Sequence, residues 1–255
     1  MKARALLVWL AISALLLALP ATVLAQSPEK TSTGLTAQQV LEQADQVRNG
    51  NVSALIKTRI THFKKGEIEQ ESEFEVYARG PEKALVKSID PRSRGLRVLM
   101  LGDNMWISLP DVSRPVRITP MQRLVGQASN GDVAKTYYAI DYEPRLVREE
   151  KVGGKRCALL DLKARRKGAT YQRIEYWVDL ATLEPVQANF YLTSGKNSKF
   201  ASFDEFKTFM GVRMVGRMTI HDRIVTDEKT VVEYLGAQLR ELPDRYFNTN
   251  RMAEF

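Results

Sequence analysis

The regular alternation of polar and apolar residues is the feature of this sequence that most constrains its fold. It is clearest over 67–76, where glutamates occupy the odd positions and Phe74 and Val76 end the series of even positions. A period of two places successive side chains on opposite faces of a β-strand. Comparable runs recur at short intervals, over 52–60, 67–76, 83–89, 97–101, 105–109, 145–151, 156–164, 171–178, 186–193, 199–209, 212–222 and 229–239. This spacing predicts a mainly β (α+β) protein with one large antiparallel sheet rather than an α/β enzyme fold.

Few segments of the sequence predict helices. The longest begins after Thr36, a favourable N-cap with Gln39 in the capping-box position, and ends at Gly50. Its narrow apolar stripe has to be buried against another element. Shorter helices are predicted over 120–125 and 132–138. We therefore expect a small number of helices that lie on the sheet and cover only part of it.

The N-terminus has the pattern of an export signal. Two basic residues precede an apolar run that Pro20 ends, and small residues follow up to Ala25. We expect a signal peptide over 1–25, cleaved after Ala25, then a polar linker over 26–34 and a single domain over 35–255. An uncleaved membrane anchor is the alternative, although the apolar run is short for a span. The mature protein is expected to be periplasmic.

Composition argues against several classes of protein. Cys157 is the one cysteine, so no internal disulfide can form, and we expect this side chain to be a small buried apolar group. With His62 and His221 as the two histidines and no recognisable catalytic motif, we expect no enzyme, no metal site and no cofactor. The net charge is +8. The basic cluster over 163–167 is interpreted as a solvated edge, or as a docking surface for anionic headgroups or an acidic partner; nucleic acid binding is not expected.

The apolar residues opposite the charged row define a candidate inner face. The residues assigned to it are Phe74, Val76, Ile174, Tyr176, Phe190, Leu192, Phe206, Met214, Met218 and Ile220. One interpretation is that these side chains pack against each other and form an ordinary core. The other is that few helices cannot fill so wide a curved sheet, which would leave an apolar cavity under a helical cover.

Three stretches resemble the outer-membrane lipoprotein-sorting protein family, which comprises the periplasmic carrier LolA and its LolA-like relatives. The first covers 74–81 and continues over 84–86, and the second is the hairpin over 102–110, which contains Trp106. The third covers 176–179, with Thr182 and Pro185, and continues at 211–214. Each motif is short, but their order along the chain is that of the family over most of 35–247.

The resemblance implies an incomplete, strongly curved antiparallel β-barrel whose mouth is covered by helices and whose ligands are acyl chains. It adds Trp106 to the cavity candidates. It also matches Arg79 to a basic residue that holds the helical cover closed in the carrier. Strict alternation, however, places Arg79 in the outward row, so this role requires a bulge near Gly80-Pro81, and an exposed strand-end arginine is the alternative.

The resulting prediction is a periplasmic carrier that shields acyl chains of lipoproteins or lipids and passes them towards the outer membrane. Membrane-bound donor and acceptor proteins are the expected partners, and we expect a monomer. Two alternatives stay open: a regulatory module that senses lipid or protein, and an accessory to an inner-membrane lipid exporter.

Overall fold

The computed structural model describes residues 29–50, 53–225 and 227–254. The expected signal peptide over 1–25 lies outside the described residues, as does the start of the expected linker. Within the described part of the chain, no helix has the length and apolarity needed to cross a bilayer.

Most of the described chain forms β-strands and three short α-helices. In chain order these elements are α1 (Ala37–Asn49), β1 (Ala54–Lys64), β2 (Glu67–Arg79), β3 (Lys83–Ser88), β4 (Arg97–Leu101), β5 (Asn104–Ser108), β6 (Val116–Ile118), β7 (Arg123–Val125), β8 (Ala128–Ser129), α2 (Asn130–Ala134), α3 (Tyr138–Asp141), β9 (Tyr142–Val152), β10 (Lys155–Ala164), β11 (Arg173–Asp179), β12 (Pro185–Tyr191), β13 (Asn197–Phe209), β14 (Val212–Asp222) and β15 (Glu228–Leu239). Single 3-10 turns lie at Pro91–Ser93, Asp244–Phe247 and Thr249–Glu254.

Thirteen of the described strands form one open, curved antiparallel sheet, as the alternation predicts. Its order is β6-β5-β4-β3-β2-β1-β15-β14-β13-β12-β11-β10-β9. The chain meanders from β1 out to the β6 edge, crosses to the β9 edge, and returns strand by strand to β15 beside β1. The crossing segment contains β7, β8, α2 and α3, so the topology carries these elements over one face of the sheet. We call that face the inner face.

The helix predicted after Thr36 is confirmed, and its local chemistry explains its bounds. The Thr36 hydroxyl accepts from the Gln39 amide at 3.3 Å, and the Gln39 side chain accepts from the Thr36 amide at 2.9 Å. Gly50 ends the helix with φ +69, a left-handed conformation that glycine adopts without steric cost. Helix α1 places Val40, Leu41 and other buried residues on the inner face.

The helix predicted over 120–125 is wrong, because the end of this segment is strand β7. Gly126 has φ +52, and the chain reverses there so that β7 pairs antiparallel with β8. The helix predicted over 132–138 is divided into α2 and α3. Lys135, which follows α2, has φ -109 and ψ 75, and this non-helical backbone separates the two short helices.

The outer face of the sheet is also partly buried. After β15 the C-terminal segment, residues 240–254, folds back over β1 to β5, and its Leu242, Phe247 and Met252 pack on that face. Cys157 is fully buried in a second outer cluster with Leu159 and Trp177. The expectation of a buried, unpaired thiol is thus confirmed.

Candidate ligand-binding interior

The candidate site is the space between the inner face and its cover, which consists of α1, α2, α3 and the β7–β8 ribbon. Apolar side chains from both layers form one continuous buried cluster. Helix α1 contributes Val40, Leu41 and Ala44, and α2 contributes Val133 and Ala134. The site is therefore lined by the sheet below and by short helices above.

The structure brings most of the predicted inner-face residues together. Eight of them are almost fully buried: Phe74, Val76, Ile174, Tyr176, Phe190, Met214, Met218 and Ile220. Leu192 lies just beyond the end of β12 and is half-buried. Whether these residues contact a ligand stays a prediction.

Phe206 and Trp106 lie elsewhere than expected. The β13–β14 register shifts on both sides of Glu205, so the alternation changes phase there; Phe203 is buried in the interior, and Phe206 packs at its margin. Trp106 pairs with Leu99 and packs in the outer cluster under the C-terminal segment. Alternation predicted an inward Phe206 and the family resemblance predicted an inward Trp106; the local geometry of each strand directs both side chains elsewhere.

The interior has little free space in this conformation. The gap between α1, α2 and the sheet is partly open to solvent and has a volume of about 30 Å³, enough for about one or two water molecules. Its apolar lining includes Ile56, Val76, Ala84 and Met214. An acyl chain can enter only if the cover moves and the side chains rearrange.

One polar network holds the cover on the sheet, and its members satisfy each other. The Lys199 ammonium on β13 donates to the Gln127 carbonyl at 2.6 Å and to the Tyr171 hydroxyl at 3.1 Å. Tyr171 in turn donates to the Asp132 carboxylate of α2 at 2.8 Å, and Ser129, the N-cap of α2, donates to the same carboxylate from its amide at 2.9 Å and its hydroxyl at 2.8 Å. A fully bonded buried network of this kind fixes the position of the element it contacts.

Helix α3 is held by ion pairs at the other edge. Asp141 contacts the Lys135 ammonium at 3.1 Å, and both side chains are buried. Arg165 donates to the carbonyls of Ala139 and Ile140, at 2.9 Å to the latter. The ends of the cover are thus polar and bonded, while its middle is apolar.

A second polar cluster lies beneath α1, and sequence reasoning missed it. Arg48 is 3% exposed, and it lines the gap between α1, α2 and the sheet. Its guanidinium carbon lies 4.2 Å from the centre of the Tyr138 ring. Asp45, one turn earlier, accepts from the Ala139 amide at 2.7 Å, and burial raises its pKa to about 7. The spacing of Leu41, Asp45 and Arg48 along one helix face was the signal that could have revealed these two buried charges.

Arg79 fastens the C-terminal segment and not the helical cover. It donates to the Leu242 carbonyl at 2.7 Å and to the Asp244 carboxylate, and its guanidinium lies 4.7 Å from the centre of the Phe247 ring. The β2–β3 register runs without a shift to the pair Arg79–Lys83. Because no bulge turns the Arg79 side chain inward, it stays in the outward row. It therefore contacts the C-terminal segment and does not contact the helical cover as the resemblance implied.

We expect Arg79→Ala to loosen the C-terminal segment locally. The lost hydrogen bonds and ring contact correspond to about 1–2 kcal/mol, so the Tyr246 and Arg251 amides should exchange hydrogen about tenfold faster. Lys83→Ala is the matched control, because Lys83 lies farther from Asp244, at 3.4 Å. Equal acceleration in the two variants would contradict the assigned role.

The described chain offers no preformed metal site. Among residues 29–50, 53–225 and 227–254, no group of three or more His, Cys, Asp or Glu side chains is placed to hold a metal ion.

The fold of this chain is shared with several solved structures. A LolA superfamily protein from Nitrosomonas europaea is 32% identical with a TM-score of 0.79, and the match covers 84% of this chain and 98% of that one. A DUF1329 family protein from Desulfovibrio piger is 21% identical (TM-score 0.72; 85% and 97% covered). A domain from Vibrio parahaemolyticus assigned to outer membrane lipoprotein sorting is 17% identical (TM-score 0.72; 85% and 98% covered).

These matches place the chain in a family. A family profile described as an uncharacterized protein matches residues 80–254, and no curated protein matches significantly. The chain belongs to the LolA superfamily, which confirms the resemblance found in the sequence.

Proposed function

We propose that this protein is a periplasmic carrier that holds acyl chains of lipids or lipoproteins against its inner face and passes them towards the outer membrane. The observation that carries the proposal is the continuous apolar surface of the sheet beneath a cover of three short helices. Membership of the LolA superfamily supports it. Export through the N-terminal segment and a membrane-bound donor and acceptor belong to the same proposal.

The energetics favour exchange over permanent storage. Burial of each acyl methylene is worth about 0.8 kcal/mol, so a free chain does not leave a membrane for water unaided. In the closed protein, the apolar residues of α1 occupy the inner face. A chain that displaces them replaces one apolar contact by another, while the opened cover loses hydrogen bonds of about 1 kcal/mol each. Loading and unloading therefore stay close to balance.

The experiment measures transfer of a labelled diacyl lipid from donor vesicles to acceptor vesicles across an aqueous phase. The protein should carry lipid after purification without detergent, and it should raise the transfer rate above the spontaneous rate. Binding without transfer would favour the sensing role, and an interior that takes up no lipid would contradict the proposal.

A pair of glycine variants tests whether the cover controls exchange. A Cβ at Gly131 of α2 would lie 2.1 Å from the Thr170 hydroxyl, so Gly131→Ala should displace α2 and speed lipid exchange several-fold. Gly236→Ala is the control, because a Cβ at Gly236 meets nothing within 4 Å. Unchanged or slower exchange in Gly131→Ala would show that the cover does not limit exchange.

A further inference from the structure

The polar cluster beneath α1 differs from the Lys199 network because several of its buried side-chain atoms have no hydrogen-bond partner. The two terminal nitrogens of Arg48 are buried and make no hydrogen bond of regular geometry. Among the described residues, Arg48 also forms no ion pair within 4.0 Å. Its guanidinium lies over the ring of Tyr138, 5.8 Å from the centre of the Phe203 ring, and close enough to the Tyr138 hydroxyl and the Asp45 carboxyl to interact with them electrostatically. The Lys199 network shows that this fold can satisfy a buried cation fully, so the state of Arg48 needs its own explanation.

Two unpaired hydroxyls, each able to donate one hydrogen bond, lie near Arg48. The hydroxyls of Tyr138 and Tyr176 are buried without a hydrogen-bond partner, and their rings lie 5.4 Å apart. Asp45 contributes one unpaired carboxyl oxygen, the acceptor in this group. The guanidinium of Arg48 cannot accept, and both hydroxyls can turn their proton towards a ligand, so the group is complementary to a ligand that brings negatively charged acceptor oxygens.

An unpaired guanidinium is costly in an apolar site. Removing a charge from water without a partner costs several kcal/mol, and a structural role would be served equally by an apolar residue. The planar fork of arginine binds two oxygens of a carboxylate or phosphate at once. Arg48 lines the gap between α1, α2 and the sheet together with Ile56, Val76 and Met214. If the headgroup of a ligand binds Arg48, the hydrocarbon chain of the same ligand therefore lies against apolar side chains.

We infer that Arg48 binds the anionic headgroup of a single-chain amphiphile, such as a fatty acid or an alkyl phosphate, whose chain occupies the inner face. This inference rests on the proposed function, and it narrows the ligand from acyl chains in general to chains with a negatively charged head. Tyr138 and Tyr176 donate further hydrogen bonds to the same headgroup. Helix α1 carries Arg48, so binding of the head and displacement of the cover are coupled.

The test compares ligands of equal chain length at pH 6, where Asp45 keeps its proton and both anions are charged: hexadecanoate, hexadecyl phosphate and hexadecanol, each displacing a neutral fluorescent probe. We expect at least one of the two anions to bind tenfold or more tightly than hexadecanol, and the tighter anion identifies the headgroup. Acetate and inorganic phosphate, which lack the chain, should not displace the probe. Equal affinity for anions and alcohol overturns the inference but leaves the proposed function intact. No displacement by any of the three overturns both.

Two variants test whether Arg48 causes the preference for anionic ligands. Arg48→Met should abolish the preference for the anion while hexadecanol binds as before, and the empty variant should be at least as stable as the native protein because a buried unpaired charge is removed. Arg59→Met is the control, since Arg59 lies on the outer face and pairs with Glu73 at 2.7 Å. An anion preference that survives in Arg48→Met overturns the assignment. If Arg48→Met does not fold, the comparison of anions with hexadecanol in the native protein and in Arg48→Lys still tests the inference.

Discussion

Phe74→Asp is expected to prevent folding, with a loss of at least about 5 kcal/mol in the free energy of unfolding. Phe74 is 2% exposed and lies in the middle of the inner face. Loss of a buried phenylalanine costs about 3–5 kcal/mol, and a carboxylate left without a partner in the same place adds to it. The total is comparable to the whole stability of a typical domain. Urea denaturation followed by tryptophan fluorescence and circular dichroism measures the change.

Ile68→Asp is the matched control, because it makes a similar change of chemistry on the same strand. Ile68 is 61% exposed, so its replacement should change the free energy of unfolding by less than about 1 kcal/mol. Similar losses in both variants would mean that β2 does not present Phe74 to the core. The comparison thus tests the inner-face assignment on which the lipid site depends.

The elements that local chemistry defines could be predicted from the sequence. The ends of α1 follow from Thr36, Gln39 and Gly50, whose contacts involve residues close in sequence. The inner face of β2 and β11 follows from alternation, because one row is charged and the other apolar. In such strands a shift of one residue would bury charges, so the register is well specified.

The failures arise where alternation carries no information. Trp106 lies in a short strand whose two faces are both covered, one by the interior and the other by the C-terminal segment, so apolar residues occur in both rows. Phe203 and Phe206 are separated by bulges, which no periodic pattern predicts. Alternation does place Arg79 in the outward row, but its partners there lie in the C-terminal segment, more than 160 residues away along the chain, so no local pattern predicts them.

The buried charges of α1 are the least predictable feature of the site. An arginine in the last turn of a helix is ordinarily explained by its favourable interaction with the helix dipole and is expected to be solvated. Here the helix is covered by the sheet on one side and by α3 on another, and Asp45 and Arg48 are enclosed by the rest of the fold. Their burial results from tertiary packing, so it becomes visible only in the structure.

The same burial predicts that Asp45→Asn stabilises the protein at alkaline pH. Burial is the largest influence on the Asp45 carboxyl; hydrogen bonds from the Ala139 and Tyr138 amides and the charge of Arg48 oppose it, whereas Asp141 adds to it. The resulting pKa is about 7, compared with 3.8 for an unperturbed aspartate. The folded protein therefore retains a proton on Asp45 over a pH range in which the unfolded chain releases it.

The sign of the pH dependence follows from this difference in proton binding. Below about pH 4 the carboxyl is protonated in both states, so it adds no penalty. As the pH rises to 7, the unfolded state gains by ionising and the folded state does not, so the free energy of unfolding falls. Above pH 7 the full penalty is present, and the distance between the two pKa values corresponds to about 4 kcal/mol.

Asp45→Asn removes the ionisable group and keeps a side-chain oxygen that can accept from the Ala139 amide. Its free energy of unfolding, relative to the native protein, should be nearly unchanged at pH 4 and higher by up to about 4 kcal/mol at pH 8. Glu42→Gln, on the exposed side of the same helix, is the control and should show a small difference at both values. Urea denaturation of the three proteins between pH 4 and pH 8 measures these differences. A gain in Asp45→Asn that does not change with pH would mean that Asp45 is ionised in the folded protein, and that the region around Arg48 is more polar or better hydrated than its burial indicates.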